Sequence, residues 1–207
     1  MRHAATGIVL AGGASRRMGQ DKALLELDGR PLLHRVVEPV SRLCDEVVIA
    51  AAGKPVQHLP GLSPIWVCDP PGAAGPLAGL SAGLSAASHP TAMVVACDMP
   101  FLSERLLGHL LDLVEDCDAA VPLAGGGSQP LHAVYSLRCL PTVKALLRLG
   151  ARSMGDLLPR LRVKYLSESS CRELDPEGLS WFNMNTADDF RLARYHWAYR
   201  QNRVAAA

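Results

Sequence analysis

Leu10-Ala11-Gly12-Gly13-Ala14-Ser15-Arg16-Arg17-Met18-Gly19-Gln20-Asp21-Lys22 continues an apolar run, Thr6-Gly7-Ile8-Val9-Leu10. That run reads as a buried strand of a parallel sheet. Paired glycines after a first strand let the backbone come close to a ligand, because no Cβ intervenes. Amides exposed in such a loop can face an anion. Arg16, Arg17 and Lys22 add positive charge to the same loop. The combination describes a site for a ligand carrying several phosphates. The loop is not a Walker A motif, since neither Gly-Lys-Ser nor Gly-Lys-Thr occurs in the chain, and Gly-x-Gly-x-x-Gly is absent after this strand. A glycine pair alone would suit an ordinary strand-to-helix turn with solvated basic residues. The full pattern, closed by a lysine, goes beyond such a turn.

A chain of 207 residues can bury one sizeable core. An apolar fraction of 49% excludes a disordered protein. The formal net charge of +1 creates no global field toward nucleic acid or membrane, so attraction for phosphates must be local. No basic, aromatic-rich patch suggests a nucleic-acid surface. Cys44, Cys68, Cys97, Cys117, Cys139 and Cys171 form no Cys-x-x-Cys pair, which argues against a zinc site. The histidines show no ligand spacing. His34, His109 and His132 read as structural or exposed. Arg2 and His3 precede an apolar run in the manner of a signal peptide. That run is short, contains Gly7, Gly12 and Gly13, and leads into two arginines, so a strand entering a phosphate loop explains it better. No stretch is long and apolar enough to cross a bilayer, and a cytoplasmic location is expected.

Beyond the loop, Asp28-Gly29-Arg30 reads as a tight turn. Pro31 suits the first turn of a helix carrying Leu32, Leu33, Val36, Val37, Val40 and Leu43 on one face, and Pro39 is expected to bend or interrupt it. Residues 46–50, 65–68 and 92–97 read as strands, the last two ending at Asp69 and Asp98. A helix of small residues begins near Gly75-Pro76-Leu77, and Ser103 caps another. This alternation favours a parallel sheet covered on both faces, with ligands beyond the carboxyl ends of the strands. The second half departs from it. A strand over 119–123 precedes a glycine run, Gly125 to Pro130, expected as a mobile loop, and 131–137 reads as a further strand that can run antiparallel to the rest. Helices are expected over 141–149 and after Ser153, and a strand over 163–166. Thr186, supported by Asp189, caps a last helix over about 187–200. With no linker or repeat, residues 1–207 read as one domain with a core from about 6 to 190.

Leu-Ala-Gly-Gly-x-Ser-Arg-Arg-Met-Gly-x-Asp-Lys resembles the signature loop of the molybdenum cofactor guanylyltransferases, part of a wider group of nucleotidyltransferases. The resemblance implies a Rossmann-like three-layer α/β/α domain with a mostly parallel sheet. It implies transfer of GMP from GTP to the terminal phosphate of molybdopterin, with loss of pyrophosphate and dependence on Mg. It also suggests transient contact with molybdoenzyme apoproteins or their chaperones.

Carried onto this sequence, the resemblance makes Leu10, Ala11, Gly12 and Gly13 backbone contacts to the nucleotide, and Lys22 its lysine contact. Asp69, before Gly-Pro-Leu-Ala-Gly, becomes a nucleotide contact. Asp98, in Cys-Asp-x-Pro, becomes the ligand of magnesium and of the phosphates. Arg16 is assigned to the triphosphate or leaving group, and Arg17 fits either that role or solvent. The catalytic set is therefore Arg16, Lys22 and Asp98. Gln129-Pro130-Leu131-His132 resembles a segment bordering the acceptor site, and Asn183-x-Asn185-Thr186 an asparagine motif. Relatives can carry asparagine after the second strand, where this chain has Ala50-Ala51-Ala52-Gly53. That departure keeps a CTP:molybdopterin cytidylyltransferase as the nearest alternative. A sugar-phosphate nucleotidyltransferase is more distant, and a non-catalytic nucleotide-binding adaptor for cofactor delivery belongs to another class.

Overall fold

The structure is a computed structural model and describes residues 2–12, 23, 25–51 and 59–205. Strand β1 (His3–Leu10) is buried from Ala5 onward. A hairpin of β2 (Glu26–Leu27) and β3 (Arg30–Pro31) follows, turned by Asp28 and Gly29. Their φ values of 52° and 70° are those of a two-residue hairpin turn, which an Asp-Gly pair accommodates.

Helix α1 (Leu32–Leu43) buries the six apolar residues that its periodicity selects. Of the bend or interruption expected at Pro39, the interruption does not occur: the helix runs through it, with Pro39 on the buried face. Packing of that whole face outweighs the one backbone bond a proline removes. The chain continues through β4 (Cys44–Ala51), β5 (Ile65–Cys68), α2 (Pro76–Ala86), β6 (Thr91–Ala96), α3 (Glu104–Leu113), β7 (Ala119–Ala124) and β8 (Gly127–Ser128). It ends through β9 (His132–Ser136), α4 (Leu140–Arg148), α5 (Met154–Leu157), β10 (Val163–Leu166), α6 (Glu168–Leu174) and α7 (Ala187–Ala205).

The main sheet has the order β10-β7-β9-β6-β1-β4-β5, with β8 paired to β7. Strands β5, β4, β1 and β6 run parallel, and β10 is parallel to β7. Strand β9 is antiparallel to both β6 and β7, so the expected reversal in the second half is present. The glycine run expected as a loop folds into a hairpin, with Gly125 and Gly126 at positive φ joining β7 to β8.

Alternate residues of the strands feed two cores, as the period of two requires. Val9, Ile49, Met93 and Val95 face α1, α3 and α6. Ile8, Leu10, Val48 and Val94 face α2, α4 and α5. This is the mostly parallel three-layer architecture expected. Helix α6, unanticipated, begins where Ser167 Oγ accepts from Ser170 N–H. Helix α7 closes a third cluster in which Leu27, Leu32, Phe101, Met184 and Ala193 are buried, with Phe182, Phe190 and Trp197 packed against them.

Candidate active site

The strand registers decide where the candidate residues meet. Leu10 lies opposite both Ala50 and Ala96, and Ala51 opposite Cys68. The carboxyl ends of β1, β4, β5 and β6 therefore share one edge of the sheet. The loop starting at Gly12, Asp69 after β5 and Asp98 after β6 all leave from that edge. Strands β4 and β5 were added on one side of β1 and β6 on the other, which makes the β1–β6 boundary a topological switch point, where such sheets bind ligands.

Backbone bonds carry the sheet one residue past its ladder. Ala11 N–H donates to Ala50 O at 2.8 Å, and Cys97 N–H to Leu10 O at 3.0 Å. The Ala11 amide and the Leu10 carbonyl are thus engaged within the protein, and the loop proper begins at Gly12. Asp69 N–H donates to Ala51 O at 3.3 Å. Ala50 is fully buried, so its side chain faces the core and not a ligand. Gly13, Arg16, Arg17, Lys22, Ala52 and Gly53 lie outside the described residues.

Asp69 is half-buried, and its Oδ1 has no hydrogen-bond partner among the described residues. Burial pushes its carboxyl pKa upward. A buried acceptor without a donor is costly, and a ligand donating to it would relieve that cost. Gly79 of α2 keeps the approach open: a Cβ there would stand 3.6 Å from Asp69 Oδ1 and 3.2 Å from Leu10 Cδ2. The start of α2 is held by a distant carbonyl, Arg152 O, which accepts from Leu77 N–H at 3.3 Å. At Gly75, where φ is 85°, a Cβ would come within 2.8 Å of that same oxygen.

Asp98 is half-buried, and its carbonyl accepts from Met184 N–H at 3.0 Å. The asparagine segment thereby comes to the end of β6, which nothing local in the sequence announces. Asn183 Nδ2 donates to Trp181 O at 2.9 Å, and Asn185 N–H to Asp189 Oδ2 at 2.8 Å. Thr186 and Asp189 form the expected reciprocal cap. In the segment compared with an acceptor border, Gln129 Nε2 donates to Ala124 O at 2.8 Å, and Tyr135 Oη–H to Pro130 O at 2.8 Å. His132 is fully buried, within 2.5 Å of Ser180 Oγ.

Two strands separate β5 from β6, so Asp69 and Asp98 start about 14 Å apart. That span suits two ends of one extended nucleotide, and it is too long for both carboxylates to ligate one small ion at about 2 Å. Among the described residues no group of three or more His, Cys, Asp or Glu is arranged to hold a metal. Mg²⁺ keeps several waters and takes few protein ligands, so the single half-buried carboxylate of Asp98 is a donor set compatible with that ion.

Residues 7–164 match the model of the MobA-like NTP transferase domain. The chain is 39% identical to the molybdenum cofactor guanylyltransferase of Desulfosudis oleivorans over 192 residues, covering 92% of this chain and 94% of that one. A probable molybdenum cofactor guanylyltransferase of Pelotomaculum thermopropionicum is 40% identical over 190 residues, covering 92% of each. Among solved structures, molybdopterin-guanine dinucleotide biosynthesis protein A of Archaeoglobus fulgidus superposes with a TM-score of 0.83 at 30% identity, over 94% of this chain and 99% of that one. With this family match, this identity and this coverage, the chain belongs to the MobA-like NTP transferase family, among the molybdenum cofactor guanylyltransferases.

Proposed function

We propose that this protein transfers GMP from GTP to the terminal phosphate of molybdopterin, forming the guanine dinucleotide and releasing pyrophosphate. The observation that carries the reading is the common edge from which the Gly12 loop and Asp98 leave at the switch point and Asp69 leaves two strands away. Likeness to guanylyltransferases at 39% and 40% identity supports GTP as the donor.

In this reading the edge holds the nucleotide across the strand ends. Gly12 and Gly13 let the backbone lie against it, and Asp69 accepts a hydrogen bond from the nucleoside. Lys22 and Arg16 offset the charge of the triphosphate. An oxygen of the pterin phosphate attacks the α-phosphorus in line, a new P–O bond forms, and the bond to the β-phosphate oxygen breaks. The electron pair leaves with pyrophosphate. The attacking phosphate is already an anion at neutral pH, so no general base is needed. Positioning and charge neutralisation account for the rate. Asp98 would hold Mg²⁺, which when bound spreads the charge that develops on the phosphate oxygens. In the same reading the product is handed over to molybdoenzyme apoproteins or their chaperones.

The test is pyrophosphate release from purified protein with Mg²⁺, molybdopterin and each nucleoside triphosphate in turn. Pterin-dependent release with GTP alone is expected. Preference for CTP would move the protein to the cytidylyl branch with the mechanism intact. Nucleotide binding without release from any triphosphate would favour a delivery adaptor. Asp98→Ala should abolish turnover with the fold retained. Lys22→Ala should weaken GTP binding in titration calorimetry, and unchanged affinity would remove it from the site.

A further inference from the structure

Ser180 is fully buried where three parts of the chain meet. Its Oγ accepts from Ser103 N–H at 2.8 Å and shares a 2.5 Å hydrogen bond with Nε2 of His132. Its own N–H donates to Asp175 Oδ2 at 2.8 Å. Ser103 ends the loop that Asp98 begins, between β6 and α3. The far end of that loop is therefore held by Ser180 and the near end by Met184, through the Asp98 carbonyl. Between them Phe101, 1% exposed, packs on Phe182 with ring centroids 5.9 Å apart. Segment 180–184 thus grips both ends and the middle of the loop that presents Asp98.

His132 anchors the grip to the sheet. It lies opposite Val95, on the strand that leads to Asp98. Its strand neighbours Ala133 and Val134 are apolar and fully buried. Burying an imidazole among them costs desolvation free energy that an aliphatic side chain would not incur. What the imidazole adds is a hydrogen-bonding nitrogen at Ser180.

We propose that His132 and Ser180 are a positioning pair for guanylyl transfer, anchoring segment 180–184 so that it fixes the backbone of the loop carrying Asp98. The inference rests on the role given to Asp98 above. Neither residue touches substrate in this scheme. Both act through the loop.

The test compares His132→Leu, His132→Gln and Ser180→Ala by amide exchange and steady-state kinetics. In the wild type, the Ser103 and Met184 amides should exchange as slowly as those of β6. Exchange at the rate of an open loop would overturn the proposal before any variant is made. In His132→Leu and Ser180→Ala, exchange over 98–103 should quicken at least tenfold. Turnover should fall about ten- to hundredfold, as expected for slight misplacement of a reacting group, with the GTP KM within about threefold of wild type because Asp69 and the glycine loop still hold the nucleotide. His132→Gln, whose amide can reach the Nε2 position, should restore both readings. Unchanged turnover despite faster exchange, or equal loss in the Gln and Leu variants, would reduce the pair to a packing role. If His132→Leu does not fold, Ser180→Ala, which removes one oxygen, supplies the same readings. If the wild type releases no pyrophosphate, the functional reading fails on that ground, while the exchange comparison still accepts or rejects the grip on the loop.

Discussion

Gly83 of α2 lies so close to Ile8 of β1 that a methyl group at position 83 would overlap Ile8 Cγ2 and stand 3.0 Å from its Cδ1. Ile8 is fully buried. The missing Cβ is what lets α2 sit down on the central strand. Gly83→Ala gains helix propensity, worth at most about 1 kcal/mol, and loses about 1–3 kcal/mol to overpacking. Urea unfolding should show net destabilisation; a gain in midpoint would mean that the helix can lift without cost.

Gly79, one turn nearer the site, is a different case. A methyl group there meets Leu10 Cδ2 at 3.2 Å and Asp69 Oδ1 at 3.6 Å, contacts that need only a small adjustment. Gly79→Ala should leave stability within about 1 kcal/mol of wild type and weaken GTP binding roughly threefold to tenfold by narrowing the approach to Asp69. Calorimetric titration beside a melting curve separates the two effects.

Asp69 holds a buried acceptor oxygen with no partner among the described residues, and its pKa is raised by burial. A carboxyl whose folded pKa is raised lowers stability once it ionises, so the native state is least favoured above that pKa. Asp69→Asn removes the charge with little change in shape. The variant should melt at the same temperature as wild type or higher, and bind GTP at least about tenfold more weakly. A lower melting temperature would identify Asp69 as a structural turn residue.

Burial pushes the His132 imidazole from 6.5 down to about 4. Between those values the unfolded chain binds a proton that the native protein does not. Stability therefore holds above about pH 6.5 and declines as the pH falls toward 4, by about 3 kcal/mol in all. Asp175, whose pKa burial raises from 3.8, acts in the opposite sense over a window that begins at 3.8 and extends upward. Denaturant midpoints at pH 7, 6 and 5 should fall progressively for wild type and much less for His132→Gln. An equal decline in both proteins would assign the acid sensitivity elsewhere.

Arg35 ties the β2–β3 hairpin to α7. Its Nε donates to Leu27 O at 2.7 Å and its Nη2 to Asp28 O at 3.0 Å, while the guanidinium lies 3.8 Å from the Trp197 ring centroid. Trp197 Nε1 donates to Asp28 Oδ2 at 2.8 Å. Arg35→Ala should cost about 2–4 kcal/mol, from charge-assisted hydrogen bonds and the ring contact together. Arg35→Lys should recover less than half, because an ammonium cannot bridge two carbonyls while stacking on an indole. Amide exchange along α7 gives the direct reading: a helix unchanged in Arg35→Ala would show that its other contacts suffice.

Features governed by near neighbours were legible before the fold was known. Ser103, Ser153 and the Thr186–Asp189 pair cap helices as read, because a cap is completed within three residues. The apolar stripe of α1 and the strand before the glycine loop follow from periodicity alone. Helix α6 escaped because Glu168–Leu174 carries no apolar stripe, and of its residues only Cys171 is buried. The uninterrupted α1 escaped because the cost of Pro39 is local, while the packing that outweighs it comes from the sheet.

The amino-acid sequence by itself determined a first strand running into a glycine pair, aspartates at the ends of two other strands and the alternation that makes a parallel sheet. Each of these is written in residues a few positions apart. Only the tertiary structure decided that β6 lies on one side of β1 and β4 and β5 on the other, and hence that Asp69 and Asp98 sit at opposite ends of one edge. It alone brought Met184 to the Asp98 carbonyl and Ser180 to His132, 48 residues away in the chain. Those contacts join a strand to a segment far along the chain, and no local period encodes a hydrogen bond across such a distance.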